Sequence, residues 1–133
     1  MATETQNPAI VTGSTFVWHE ISAPSIDKSI EFYTQALDFG TQSFDMGEMG
    51  TYNMLTRNGQ GVAGVIQPHN EGIPAHWATY ISVDDVDARV EKCKGLGATL
   101  LAGPLDVPTV GRMALIQDPQ GAAVWIFKPE PRQ

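Results

Sequence analysis

Basic residues are scarce in this chain of 133 residues: eight lysines and arginines stand against fifteen aspartates and glutamates, for a formal net charge of −7. No basic stripe is available to neutralise phosphates, which argues against a nucleic-acid partner. Cysteine occurs once, as Cys93. An intrachain disulfide is therefore impossible, and nothing points to an oxidising compartment. No apolar run approaches membrane-spanning length, and the opening MATETQNPAIVTG lacks the apolar core of an export signal. A cytoplasmic chain with no membrane partner is the expectation. Histidine is limited to His19, His69 and His76, a thin supply for a metal centre, which needs at least three converging ligands.

What is present suits one ordinary domain: hydrophobic residues make up 42% of the chain, enough to bury a core without metal or disulfide support. Self-comparison adds the most. Sliding the chain by 60 residues lays Phe16–Pro68 on His76–Lys128 without a gap. ISAPSIDKSIE falls on ISVDDVDARVE, and NGQGVAGVI falls on DPQGAAVWI. Identical pairs include Ile21/Ile81, Asp27/Asp87, Leu55/Leu115 and Gly61/Gly121. The chain is thus read as one domain of two copies, about 15–68 and about 76–128, joined by a Pro- and Gly-bearing linker at about 69–75.

Each copy opens with an alternating strand, Phe16–Ser22 or Trp77–Val83. A helix follows, capped by Ser25 with Ile26, Ile30, Tyr33 and Leu37 on its stripe. In the second copy Asp84 or Asp85 caps, Val86, Val90 and Cys93 form the stripe, and Gly97 marks the stop. Three strands complete each copy, at about 41–45, 51–57 and 62–67, and at about 99–102, 111–117 and 122–128. The order is βαβββ twice, an α+β chain.

SIDKSIEFYTQALDFG, YISVDDVDARVEKCKGLGA and DPQGAAVWIF, in that order over roughly 15–128, resemble the vicinal oxygen chelate superfamily. That superfamily includes glyoxalase I, extradiol dioxygenases and the fosfomycin and bleomycin resistance proteins. GRMALIQDPQG and HWATYISVDD look like its bacterial glyoxalase-like branch. The resemblance implies that each unit curls into a half-barrel and that the two enclose a cavity. It also implies metal ligands on the first and last strands: a His or Gln early, and the Glu of a D-P-x-G-N-x-x-E run late. Carried over, those positions hold Trp18 and Ala78, then Val65 and Trp125, with Ala122 in place of the Asn. None of the four offers a metal a usable donor. No metal and no other cofactor is expected.

Strand alternation sorts the remaining candidates. Trp18, Glu20 and Ser22 share one face of the first strand, while Val17, His19 and Ile21 share the face that meets the helix. His19 and Glu20 therefore cannot reach one metal, and His19 is read as structural. The pocket lining becomes Phe16, Trp18, Glu20, Ala78 and Tyr80, with Tyr52, Met54, Arg112 and Ala114, and Ala63, Val65, Ala123, Trp125 and Phe127. His76 stands at the rim. Aromatics and methionine with a few polar groups suit a small organic guest, and equally suit a packed barrel. Glu20 is the candidate general base. Arg112 either holds an anionic oxygen from inside or lies in solvent at the strand mouth. FDMGEMG (44–50) is either a lid or a plain connection.

The expectation is a metal-free, glyoxalase-like binder of a small organic molecule that either sequesters it or performs acid–base chemistry, working as a homodimer. The rivals are a metal-dependent lyase, isomerase or dioxygenase with ligands moved to His19, Glu20 and His76, and a non-catalytic scaffold.

Overall fold

The computed structural model describes residues 14–68 and 72–130; His69 lies outside them. The elements run β1 (Thr15–Ser22), α1 (Ile26–Leu37), β2 (Gly40–Asp45), β3 (Thr51–Arg57), β4 (Gln60–Ile66), β5 (His76–Ser82), α2 (Val86–Gly95), β6 (Thr99–Val107), β7 (Gly111–Gln117) and β8 (Ala123–Pro129). This is the expected α+β order, βαβββ twice. Among the described residues two compact units emerge, Val17–Tyr80, and Ile81–Glu130 together with Ser14–Phe16. Most of β5 therefore packs with the first unit, although in sequence it opens the second copy.

Both helices start where the sequence provides a cap. The Ser25 hydroxyl accepts from the Lys28 N–H at 3.1 Å, and the Asp85 carboxylate accepts from the Ala88 N–H at 3.0 Å. Each satisfies an amide that the first turn leaves open. α1 stops at Asp38, which takes the left-handed conformation (φ 62°) while its N–H returns to the Thr34 carbonyl. In the first unit the neighbours run β2-β3-β4-β1-β5, with β1 and β4 parallel. Ile21, Leu55, Ala63 and Val65 pack there with Ile26, Ile30 and Tyr33 of α1. In the second unit the neighbours run β8-β7-β6, and Ala114, Ile116 and Ile126 pack with Val86 and Val90 of α2 while Cys93 touches the same cluster. FDMGEMG forms a hydrogen-bonded connection between β2 and β3, with the Met46 N–H on the Gly50 carbonyl at 2.7 Å. β6 extends past the expected stop near 102, because an edge strand tolerates Pro104 and its pairing to β7 is irregular on both sides of Ala102.

The gapless repeat fails in the third and fourth strands of each copy. The helix stripes stay 60 apart, with Ile26 and Ile30 matching Val86 and Val90. On the strands, however, the helix-facing pair Leu55–Ala63 corresponds to Ile116–Val124, a spacing of 61. The second copy carries one more residue between helix and third strand, in the stretch that contains the irregular β6. A slip of one residue moves a strand's side chains to the other face. Two groups of expected pocket residues are corrected for this reason. Ala63 and Val65 lie in the apolar cluster under α1, and Ala114 lies in the cluster under α2, taking Arg112 to that side. Tyr52, Met54, Trp125 and Phe127 keep the face away from the helix.

Candidate polar site on the first unit

Among the described residues Glu20 is the only buried carboxylate, 6% exposed, and its burial requires partners. Tyr52 donates to its Oε2 at 2.6 Å, and Tyr80 donates to its Oε1 at 2.8 Å. The Trp18 indole N–H donates in turn to the Tyr52 oxygen at 3.0 Å. All four residues belong to the first unit. Among the described residues no cation lies within ion-pair distance of Glu20.

Two glycines make this network geometrically possible. Tyr52 stands on β3 and Glu20 on β1, with β4 between them, a span of about 9–10 Å at ordinary strand spacing. Glu20 lies beside Gly64 in the parallel register, and Met54 lies opposite Gly64 on the other side. A Cβ on Gly64 would fall 1.8 Å from the Tyr52 hydroxyl oxygen and 2.9 Å from the Glu20 Cγ. The phenol thus crosses β4 through a gap that only glycine leaves. Gly61 repeats the device: a Cβ there would meet Met54 at 2.7 Å and Trp18 at 3.7 Å. The register shift beside Leu55 and Thr56 brings both glycines to this face. Gly61 stood out in the sequence only as a repeat match and Gly64 not at all, yet a glycine inside a strand is a recognised mark of close approach.

Burial first, and then the charge of Glu20, push both phenols well above the ordinary tyrosine range. The folded state therefore keeps two protons that the unfolded chain releases near pH 10. Stability from this source is complete below pH 10 and declines above it, at about 1.4 kcal/mol per pH unit for each phenol. Denaturant midpoints measured from pH 8 to 11 should show that decline. The double variant Tyr52→Phe/Tyr80→Phe should flatten it; an unchanged slope would separate the alkaline loss from these phenols.

Residues 15–126 match the family described as the Glyoxalase/Bleomycin resistance protein/Dioxygenase superfamily. The chain is a member of that superfamily. It is 34% identical to the protein named "Putative glyoxylase CFP32" of Mycobacterium tuberculosis, over 90% of this chain and 46% of that protein. It is 31% identical to the anthracycline biosynthesis protein DnrV of Streptomyces peucetius, over 84% of this chain and again 46% of the relative. The chain thus spans about half the length of these relatives. Two solved structures share the fold. One is the hypothetical protein BH1468 of Bacillus halodurans, at TM-score 0.65 and 15% identity over 92% and 99% of the two chains. The other is methylmalonyl-CoA epimerase of Mycobacterium tuberculosis, at 0.60 and 17% over 87% and 88%.

The superfamily's metal positions do not fit a metal in this member. Trp18, Ala78 and Trp125 carry no suitable donor, and with the corrected register Gly64 takes the place assigned to Val65. The alternative trio does not converge either. His19 faces away from Glu20, with its Nδ1 3.4 Å from the Thr79 hydroxyl, and the His76 Nδ1 sits 2.9 Å from the Pro74 carbonyl. Among the described residues no group of three or more His, Cys, Asp and Glu is placed to hold a metal ion.

Arg112 is also corrected. Its guanidinium forks onto Asp87 of α2 at 3.0 Å through both Nε and Nη2, and meets Asp106 at 3.1 Å. These carboxylates raise its pKa further and occupy the fork expected to hold an anion. Phe16 is 60% exposed at the start of β1, and His76 is exposed at the start of β5. Trp125 and Phe127 are half-buried on β8, in the second unit. Trp18, Glu20, Tyr52, Met54 and Tyr80 are therefore the expected site residues that the structure gathers in the first unit.

Proposed function

We propose that this chain binds a small organic molecule on the first unit's sheet face bearing Trp18, Tyr52, Met54, Glu20 and Tyr80, and does so without a metal. The observation that carries the reading is the buried carboxylate held by two phenols. A packing role alone would be served by apolar residues at lower desolvation cost, whereas an oriented carboxylate beside half-exposed aromatics is suited to recognition. Each Glu20 oxygen accepts one hydrogen bond from a tyrosine, so each retains a lone pair for a ligand. The same carboxylate is the group that would take a proton in any acid–base step, and the two phenols hold it in position. The functional unit is a homodimer. In support, the matched span is 46% of the length of relatives such as CFP32, which leaves room for a second such span in one chain.

Four measurements on one preparation test this. Metal analysis should find no stoichiometric metal, and a chelator should leave the melting temperature unchanged, because only a ligand of the folded state shifts it by mass action. Mass spectrometry under native conditions should find an organic ligand, and light scattering should give twice the chain mass of 14.4 kDa. A chelator-induced fall restored by one metal would overturn the metal-free reading. A fully packed face that binds no member of an organic library would overturn the binding reading.

A further inference from the structure

A count of hydrogens in the polar network says what kind of ligand it can accept. Trp18 brings one N–H, and Tyr52 and Tyr80 bring one O–H each. All three are directed inward, to the Tyr52 oxygen and to the two oxygens of Glu20. The side chains of the network therefore have no hydrogen left to donate and can present only acceptors. The network also carries a negative charge. Two phenols solvate that charge without neutralising it, and no lysine, arginine or histidine among the described residues pairs with it.

The nearest alternative, an anionic ligand, needs a cation. Arg112 was the candidate to supply it, and Asp87 and Asp106 hold its guanidinium in the second unit. The approach to Glu20 is instead aromatic. Glu20 itself is 6% exposed and Tyr80 9%, whereas Trp18 and Tyr52 are half-buried and form the open edge of the network. Ring faces with a fixed carboxylate behind them attract a cation, through the ring quadrupole and through the charge. An approaching carboxylate or phosphate meets only repulsion and acceptors.

The geometry points to a ligand that brings its own donor: an organic cation, such as a protonated amine on a planar or apolar body, bound at the Trp18–Tyr52 edge with its charge toward Glu20. This rests on the small-molecule reading above and goes further by choosing the sign and polarity of the ligand.

Three probes of one shape test it: naphthylmethylamine, protonated at neutral pH, naphthylmethanol, which is neutral, and naphthoate, an anion. Binding to the full chain is measured by calorimetry, and the Trp18 indole N–H resonance, assigned with Trp18→Phe, reports the place. The amine should bind about tenfold more tightly than the alcohol, the increment expected of a partly desolvated cation at an aromatic edge. Naphthoate should bind most weakly. In Glu20→Gln the advantage of the amine over the alcohol should vanish. Tyr52→Phe keeps the charge and should retain that advantage even if overall affinity falls. Naphthoate binding as tightly as the amine, with the Trp18 signal moving for both, would overturn the choice of ligand and leave the small-molecule reading standing. Failure of all three probes to bind or to move that signal would overturn both. Should Glu20→Gln fold poorly, the ranking of the probes on the parent chain decides alone.

Discussion

Gly64→Ala should destabilise the protein by about 3 kcal/mol and abolish the Tyr52–Glu20 hydrogen bond. The substitution adds one methyl group to a buried strand position. Gly64 is not among the residues with positive φ, so alanine meets no backbone strain there, and on propensity alone it should be harmless. The cost comes from what crosses the strand. The new Cβ would fall 1.8 Å from the Tyr52 oxygen, 2.7 Å from its Cζ and 2.9 Å from the Glu20 Cγ. Tyr52 must swing away, and Glu20 then keeps a buried charge with one phenol instead of two. Overpacking of this kind costs about 1–3 kcal/mol, and a lost hydrogen bond to a charged group costs about 1.5–3 kcal/mol. Chemical denaturation measures the sum, and a double-mutant cycle separates its parts. In a Tyr52→Phe background the same Gly64→Ala change should cost clearly less, because the closest clashing atom is gone. A Gly64→Ala variant as stable as the parent would show that Tyr52 does not cross β4 at this point. The same variant should also lose affinity for naphthylmethylamine, since its Tyr52 no longer forms the open edge of the network.

Most of the architecture was legible in the amino-acid sequence, because two local signals agreed. The caps at Ser25 and Asp85 and the stripes Ile26–Ile30 and Val86–Val90 each repeat at 60 residues, and the structure forms both helices there. The alternation in β1 placed Glu20 and His19 on opposite faces, and the structure buries Glu20 while leaving His19 exposed. What alternation could not show is the register of strands that follow a connection of uncertain length. Period-two patterning gives a face only once one residue has been anchored, and GVAGVI and GRMALI carry apolar residues on both faces. The anchor chosen was the 60-residue repeat, which holds through the helices and then slips by one. Arg112 and Val65 were misplaced by that slip, whereas Tyr52 and Trp125, in the other copy of each strand, were not. The partners of Glu20 were hidden for a different reason. Tyr52 and Tyr80 lie 32 and 60 residues away from it, and only the paired strands bring them together.

The slip itself makes the second large prediction, because it breaks an apparent equivalence. Leu55 and Leu115 are identical residues exactly matched by the gapless repeat, which assigns them the same environment and the same cost of truncation. The structure separates them. Leu55 is 1% exposed in the cluster under α1, opposite Ala63. Leu115 is half-buried, opposite Trp125 and on the face away from α2. Leu55→Ala should therefore cost about 2–5 kcal/mol, the range for a leucine removed from a closed core. Leu115→Ala should cost less than half of that, because part of its surface already meets solvent. Ile116→Ala, the true counterpart at a spacing of 61, should instead match Leu55→Ala, since Ile116 is 6% exposed and packed with Val86 and Val90. Denaturant midpoints of the three variants, with unchanged slopes confirming a two-state transition, give the ranking. Equal losses at Leu55 and Leu115, with a small one at Ile116, would restore the gapless register. Arg112 and Val65 would then return to the face that bears Tyr52 and Trp125 in their respective units. The cation preference proposed for the Glu20 network would survive that outcome, because Trp18, Glu20, Tyr52 and Tyr80 were placed by strands that the slip does not touch or by the copy that it leaves in register.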